Sequence, residues 1–428
     1  MGIRIFSSKY RTRLGQRVLM NKKVMKCKVA NMTHKARMLA AIRGESDYEL
    51  PWAPRLDLWY RANKLAGTLP SKYKNSTLME IIDDLDVGYH AIVPNFQDIR
   101  NQEDEADRAI GIYNIHTMPC STTLKNVKRR VKKEEYQTMV SYGTPFGDIN
   151  TKVIYNDQMR KAGVTITHVE EYAFKSYKDY KALGYIFENA EIVPNYEGYQ
   201  NFANAIGDRG IAAGFVNSSP SGMFFIQREL MPLNTFFYEM NDHYNELFEL
   251  AKKIDSYLDK VIVVAADSAA EVIFIGANYD STVTYPPFFK RYILPSLIKY
   301  SQLLHGKGKY LLTHTDGENR GLLEHYLEAQ IDIADSICPS PMTSLTFEHI
   351  RETFNNKITI MGGIPSVTLL ASSMTGNEFD GFINEFFRQI GTGERLILGI
   401  SDTTPPTASW ERIIKLNERI KKFGIVRS

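Results

Sequence analysis

The stretch Lys309-Tyr-Leu-Leu-Thr-His314-Thr-Asp316-Gly317 decides the fold. A short apolar run ends there in a histidine and a carboxylate, and a glycine follows at once. Runs of roughly four to eight apolar residues bounded by turn residues read as buried strands of a parallel sheet. Four similar runs surround it: Val272-Ile-Phe-Ile-Gly276, Ile333-Ala-Asp-Ser-Ile-Cys338, Lys357-Ile-Thr-Ile-Met361 and Arg395-Leu-Ile-Leu-Gly-Ile400. The five begin at residues 272, 309, 333, 357 and 395, which leaves room each time for one helix and two loops. Strand, helix, strand at that spacing is the signature of βαβ units.

The carboxyl ends of these runs carry Asn278-Tyr-Asp280, His314-Thr-Asp316, Pro339-Ser-Pro341, Gly362-Gly-Ile-Pro365 and Ser401-Asp402. Parallel barrels and open α/β sheets hold their chemistry at that face, because loops on a rigid scaffold let distant side chains converge. Asp and Asn at single strand ends commonly just cap the next helix. Five polar ends in succession predict a shared pocket.

The 428 residues suffice for one large barrel with insertions or for two ordinary domains. Hydrophobic content of 43% and charged content of 24% are those of a globular protein. No apolar run approaches the ~18 residues a membrane helix needs. The formal charge of +3 conceals an asymmetry. Residues 1–28 carry nine Lys or Arg and no acid, so the remainder holds 3 − 9 = −6. A mildly acidic body argues against a nucleic-acid surface. Cys27, Cys120 and Cys338 are too scattered for a disulfide framework or a Cys-x-x-Cys metal site, and they suit a reducing, cytoplasmic setting. Residues 1–31 are expected to be a basic extension, with the folded domain running over 32–428 from Met32-Thr-His-Lys35.

Along the chain, Thr33 is placed to cap a helix that stops at Gly44. Alternation across Arg55, Asp57 and Trp59 predicts an extended segment with three functional side chains on one side. There Arg55 would hold an anionic group and Trp59 an aromatic one, or Arg55 and Asp57 would pair with each other. Asn75 to Asp84 reads as a helix capped near Ser76, and His90 to Phe96 as a strand. Residues 98–160 alternate charged and β-prone pieces with turns at Gly143 and Gly147, which predicts an antiparallel insertion over one end of the main sheet. Its run Lys128 to Lys133 reads as a solvated face. Ile211 to Val216 is another buried strand, ending in the polar loop Asn217 to Gly222 on the functional face. Asn234 to Leu258 reads as one long amphipathic helix or a pair. Tyr285, Phe224 and Trp59 are candidates to line a ring-binding slot.

Arg37-Met-Leu-Ala-Ala-Ile-Arg-Gly44, Pro286-Pro-Phe-Phe-Lys-Arg-Tyr-Ile-Leu-Pro295, the stretch from Gly306 to His314, Met361-Gly-Gly-Ile-Pro365 and Gly399-Ile-Ser-Asp402-Thr-Thr-Pro405-Pro406 carry a family likeness. From about Thr33 onward the chain resembles the uroporphyrinogen decarboxylase superfamily, which includes the corrinoid-dependent methyltransferases. The resemblance implies a (β/α)8 TIM barrel, here with an antiparallel β-rich insertion and the basic N-terminal extension. The decarboxylase branch uses an Arg-Gln-Ala-Gly-Arg segment to clamp porphyrin carboxylates; the corresponding Ala53 to Trp59 has one arginine. The methyltransferase branch binds zinc through His-x-Cys and a distant Cys before a Pro-Pro pair. His314 matches, but Asp316 and Asp402 stand where the thiolates would be.

One imidazole and two carboxylates make a harder site than thiolates, suited to zinc or another divalent metal acting on an ether oxygen. The resemblance therefore implies metal ligation by His314, Asp316 and Asp402, with Asn278 also catalytic and Arg55, Asp57, Trp59, Asn217 and Tyr285 binding substrate. The expected reaction moves a methyl group from a methoxylated, aromatic small molecule to the Co(I) corrinoid of a separate small partner protein. Two alternatives stand beside it. A cofactor-independent decarboxylase would keep Arg55 as carboxylate anchor and Asp402 or Asp57 as proton donor. A non-catalytic small-molecule-binding barrel would tolerate His314→Ala.

Overall fold

The computed structural model describes residues 32–91, 106–162, 164 and 166–427. The basic extension with Cys27, and most of the strand expected over His90 to Phe96, lie outside the described residues. A helix over His34–Arg43 comes first. The Thr33 hydroxyl accepts from the Ala36 amide at 3.2 Å, and Gly44 ends the helix in the left-handed region at φ 67, as the sequence leads one to expect.

After the short strand β1 (Tyr48–Glu49) comes a correction. Arg55 to Trp59 is not an extended segment: a helix runs over Asp57–Ala66. Leu56, Trp59 and Tyr60 sit at helical spacing and are all buried, so one apolar face wins over a three-residue alternation. The next helix, Leu78–Leu85, is capped by Thr77 rather than Ser76, through a reciprocal Thr77–Glu80 capping box.

The middle of the chain holds β2 (Cys120–Leu124), β3 (Lys128–Lys133), β4 (Gln137–Thr144), β5 (Gly147–Ile154), β6 (His168–Glu171) and β7 (Ala190–Pro194). β3 to β6 form an antiparallel sheet in chain order, and β2 pairs with β7. Antiparallel pairing therefore continues well past residue 160. Ile110 to Ile115 forms no strand; a 3-10 turn at Arg108–Ile110 leads into an irregular segment that buries Ile110, Ile112 and Ile115. β3 faces solvent, as its charges require.

Six parallel strands follow: β8 (Gly214–Asn217), β9 (Val272–Ala277), β10 (Tyr310–His314), β11 (Ile333–Ile337), β12 (Thr359–Pro365) and β13 (Leu396–Ser401). They make one sheet in sequence order. β8, β9, β11, β12 and β13 are buried at every position, because helices cover the sheet and no alternation is needed. Among those helices, a pair at Leu233–Asp242 and Tyr244–Ala266 joins β8 to β9, and Leu294–His305 joins β9 to β10. β14 (Ile425–Val426) returns to pair with β1.

Backbone bonds continue beyond both edges of the sheet. Ala53 N donates to Leu398 O at 2.8 Å, and Leu398 N to Pro51 O at 2.9 Å. Gly88 N donates to Trp52 O at 2.7 Å, and Ala213 N, at the β8 edge, to Ala91 O at 3.0 Å. The molecule is thus a mixed α/β protein built on a six-stranded parallel sheet. No helix among the described residues is long and apolar enough to cross a membrane.

Candidate functional site

His314 is the last residue of β10, Asp316 lies two residues on, and Asp402 directly follows β13. One donor atom from each lies within 4.8 Å of the others. His314 Nε2 stands 3.4 Å from Asp402 Oδ1. Its other ring nitrogen, Nδ1, is 2.6 Å from Asp335 Oδ2, and Asp335 Oδ1 is 2.9 Å from His90 Nε2. A carboxylate held between two imidazoles accepts from both, so Nδ1 of His314 carries its proton and Nε2 is turned toward the cluster.

The backbone of β11 explains how one strand serves the site twice. Successive strand residues normally face opposite ways. At Ser336 the register slips, and φ is 57, a region that residues other than glycine seldom adopt. The slip lets Asp335 reach His314 and His90 while Ser336 Oγ donates to Asp402 Oδ1 at 3.2 Å. The neighbouring β12 must come close to permit this. A Cβ on Gly362 would sit 2.8 Å from Ser401 Oγ and 3.2 Å from Ser336 Cα. Positions held in such backbone states cluster at functional sites.

Charge sets the ionisation of each group. Burial opposes the charge on Asp335, but the two imidazoles outweigh it and hold the carboxyl far below its ordinary range. Burial likewise opposes Asp402, and the Arg55 guanidinium and His314 prevail there, lowering its pKa. At Asp316 burial wins: it raises the pKa, with the Asp402 carboxylate adding to the rise and His314 only partly offsetting it. Burial also lowers that of His314, yet Asp402, Asp335 and Asp316 together raise it.

The expected site residues separate into two groups. Arg55 joins the cluster by donating from Nη1 to Asp402 Oδ1, and Asn278 joins it by donating from Nδ2 to Asp316 Oδ2 at 3.3 Å. Asp402 is thus the hydrogen-bonded partner of Arg55, with Asp57 a further negative charge acting on it, and that commitment weakens the decarboxylase reading that needs Arg55 as a substrate anchor. Asp57 accepts instead from the Tyr89 hydroxyl at 3.1 Å. Trp59 is a core residue: its ring stacks on Trp410 with centroids 4.8 Å apart. Asn217 is buried and ties its loop to a distant segment, donating to Gly111 O at 3.0 Å and accepting from Ser219 N at 2.9 Å. Tyr285 is partly exposed with its ring against Phe288, and Phe224 packs on Tyr279. The Cys338 thiol is buried and pushed up to about 12, which suits a core residue.

Three members of the constellation went unread in the sequence: His90, Asp335 and Ser336. Asp335 did leave a signal, since a carboxylate inside an apolar strand must have buried partners. His90 Nδ1 is buried and has no partner among the described residues.

The donor set fits a divalent cation. With Nδ1 protonated, His314 Nε2 and Asp402 Oδ1 are two acceptors facing each other, and such a pair requires positive charge between them, a proton or a cation. The three carboxylates of Asp335, Asp402 and Asp316 gather around a single guanidinium, that of Arg55. That excess of acidic groups suits a cation, and nitrogen with carboxylate oxygen is a donor set zinc accepts.

Fold and site together define a mixed α/β protein with an imidazole–carboxylate cluster at the carboxyl ends of parallel strands. No protein-family model matches the chain, and no curated protein matches it. Among solved structures, a methyltransferase from Methanosarcina mazei is similar, with a TM-score of 0.50 and 12% sequence identity over 92% of this chain and 99% of that one. At that identity the likeness speaks to the fold alone.

Proposed function

We propose that this chain is a methyltransferase that takes a methyl group from a methoxylated small molecule, with a divalent cation held by His314, Asp316 and Asp402. The observation that carries the proposal is the convergence of those three donors, from two separate strands, within 4.8 Å. We also infer that the sheet closes into a (β/α)8 barrel. The backbone bonds through residues 51–53 and 88–91, which lead from β13 toward β8, support that closure.

Each residue then has a task. Asp335 fixes the tautomer and plane of His314, and Arg55 with Ser336 orients the Asp402 carboxylate. Asn278 holds Asp316 from the neighbouring strand end. A bound cation would supply Lewis acidity, drawing electron density from an ether oxygen so that it leaves as an alkoxide or phenolate. The methyl carbon parts from that oxygen, which keeps the bonding pair, and bonds to a nucleophile that brings its own pair. In this reading the nucleophile is the Co(I) corrinoid of a separate small protein, and the setting is the cytoplasm.

The test is elemental analysis of the purified full chain together with an absorbance assay for the methylated corrinoid, using Co(I) corrinoid and a panel of methoxylated aromatics. Near-stoichiometric metal that disappears in His314→Ala, with methyl transfer lost in parallel, is expected. A chain that retains no metal and methylates no corrinoid refutes the proposal; carbon dioxide release from a carboxylated substrate would move it to the decarboxylase branch.

A further inference from the structure

A cavity of about 360 Å³ lies between the antiparallel sheet and a π-helical turn at Ile226–Leu230, the segment that follows β8. Its walls are unlike one another. Met159, Ile166 and Tyr172 offer apolar surface, while Arg108, Arg228 and His168 bring nitrogen donors. Glu229 is the acid among the described lining residues, and its carboxylate is already engaged. Oε1 accepts from Arg228 Nε at 3.0 Å, from Ser218 Oγ at 3.0 Å and from the Tyr113 hydroxyl at 3.3 Å. The described wall thus carries two guanidiniums and one carboxylate.

Arg228 ties this cavity to the rim of the sheet. Its Nη1 donates at 2.9 Å to the carbonyl of Ala277, the last residue of β9. The next residue is Asn278, whose side chain holds Asp316. With Nε fixed by Glu229 and Nη1 by Ala277, the plane of the guanidinium is set, and Nη2 has no partner among the described residues. A guanidinium whose geometry is settled in advance loses little freedom when an oxyanion arrives, and it binds that anion more tightly than a mobile one would. Arg55, the anion anchor the sequence suggests, is committed to Asp402.

We infer that this cavity binds the carboxylate of a small single-ring acid, with Arg228 as the anchoring and specificity-determining residue. The volume is at the lower end of ligand pockets, roughly 300–1,000 Å³, and suits one ring rather than a tetrapyrrole. That the acid is also the methyl donor rests on the proposed methyltransferase activity; the charge selectivity of the cavity does not.

Titration calorimetry on the full chain, with benzoate and its neutral counterpart benzamide as probes, tests the site. Benzoate is expected to bind about tenfold or more tighter than benzamide. Arg228→Met removes the preference and Arg228→Lys restores part of it, with melting curves confirming that both variants fold. Equal binding of the two probes, binding of neither, or a preference that survives Arg228→Met overturns the site. Methyl transfer from methoxybenzoate and methoxybenzamide then separates the two readings. A binding preference without transfer from either compound retires the methyltransferase and leaves the cavity standing. Equal transfer from both retires the cavity's role and leaves the methyltransferase.

Discussion

Two regions carry chemically active residues at two-residue spacing, and the fold treats them oppositely. His314, the last residue of β10, and Asp316 just past it meet Asp402 from behind β13 within 4.8 Å. Arg55, Asp57 and Trp59 go three separate ways: to Asp402, to Tyr89, and into the core against Trp410. The difference lies in what constrains each stretch. A buried parallel strand is pinned on both sides by its ladder, so its end has one place to go. Three alternating residues fit a strand and equally the first turn of a helix, and the buried face of Leu56, Trp59 and Tyr60 decides for the helix.

The largest effect expected is structural and falls in the second region. Trp59→Ala removes a fully buried stacked ring and should cost about 3–5 kcal/mol of stability. Denaturant melts measure it, and metal affinity of the remaining folded protein should not change. A loss confined to metal affinity would return Trp59 to the site. Next comes His314→Ala, which removes the proposed nitrogen ligand. Metal affinity by competitive chelation should fall more than about hundredfold, beyond what an outer partner is worth. An unaltered affinity would break the contrast between the regions at its stronger end.

Asp335→Asn sharpens the contrast further. The amide keeps the shape but supplies one acceptor where two imidazoles donate, so His314 is no longer held in its tautomer. A fall of about 10- to 100-fold in metal affinity is expected, read by the same chelator competition, with His314 ring nitrogens followed by NMR. An unchanged tautomer would mean that Asp335 is merely packing.

This residue also marks how far the sequence can be read. Runs such as Val272 to Gly276 announce parallel strands, because burial on both faces leaves a continuous apolar signature. The polar residues just past their ends announce a shared site for the same reason. Asp335 is visible as an anomaly inside such a run, but its partners come from residues 90 and 314, and no local pattern connects them. The slip at Ser336 depends on register with β12 and on Gly362, both properties of the assembled sheet. The antiparallel region shows the same boundary: β4 and part of β5 are legible as β-prone pieces and β3 only as a solvated charge run, whereas the pairing of Cys120–Leu124 with Ala190–Pro194 spans too long a loop to be read locally.

The smallest expected effect tests the weaker side of the comparison. Asp57→Asn keeps an oxygen that can accept from the Tyr89 hydroxyl, so stability should change by no more than about 1 kcal/mol. The lost charge acts on Arg55 from outside the cluster, and Asp402 still holds that guanidinium. Metal affinity should therefore stay within about threefold, less than half the free-energy change of a tenfold loss. If Asp57→Asn instead weakens metal binding as much as Asp335→Asn does, Asp57 belongs with the donors behind β10 and β13. The Arg55–Trp59 segment would then contribute a carboxylate to the cluster beside the Arg55 guanidinium, and the site would have to be redrawn around it.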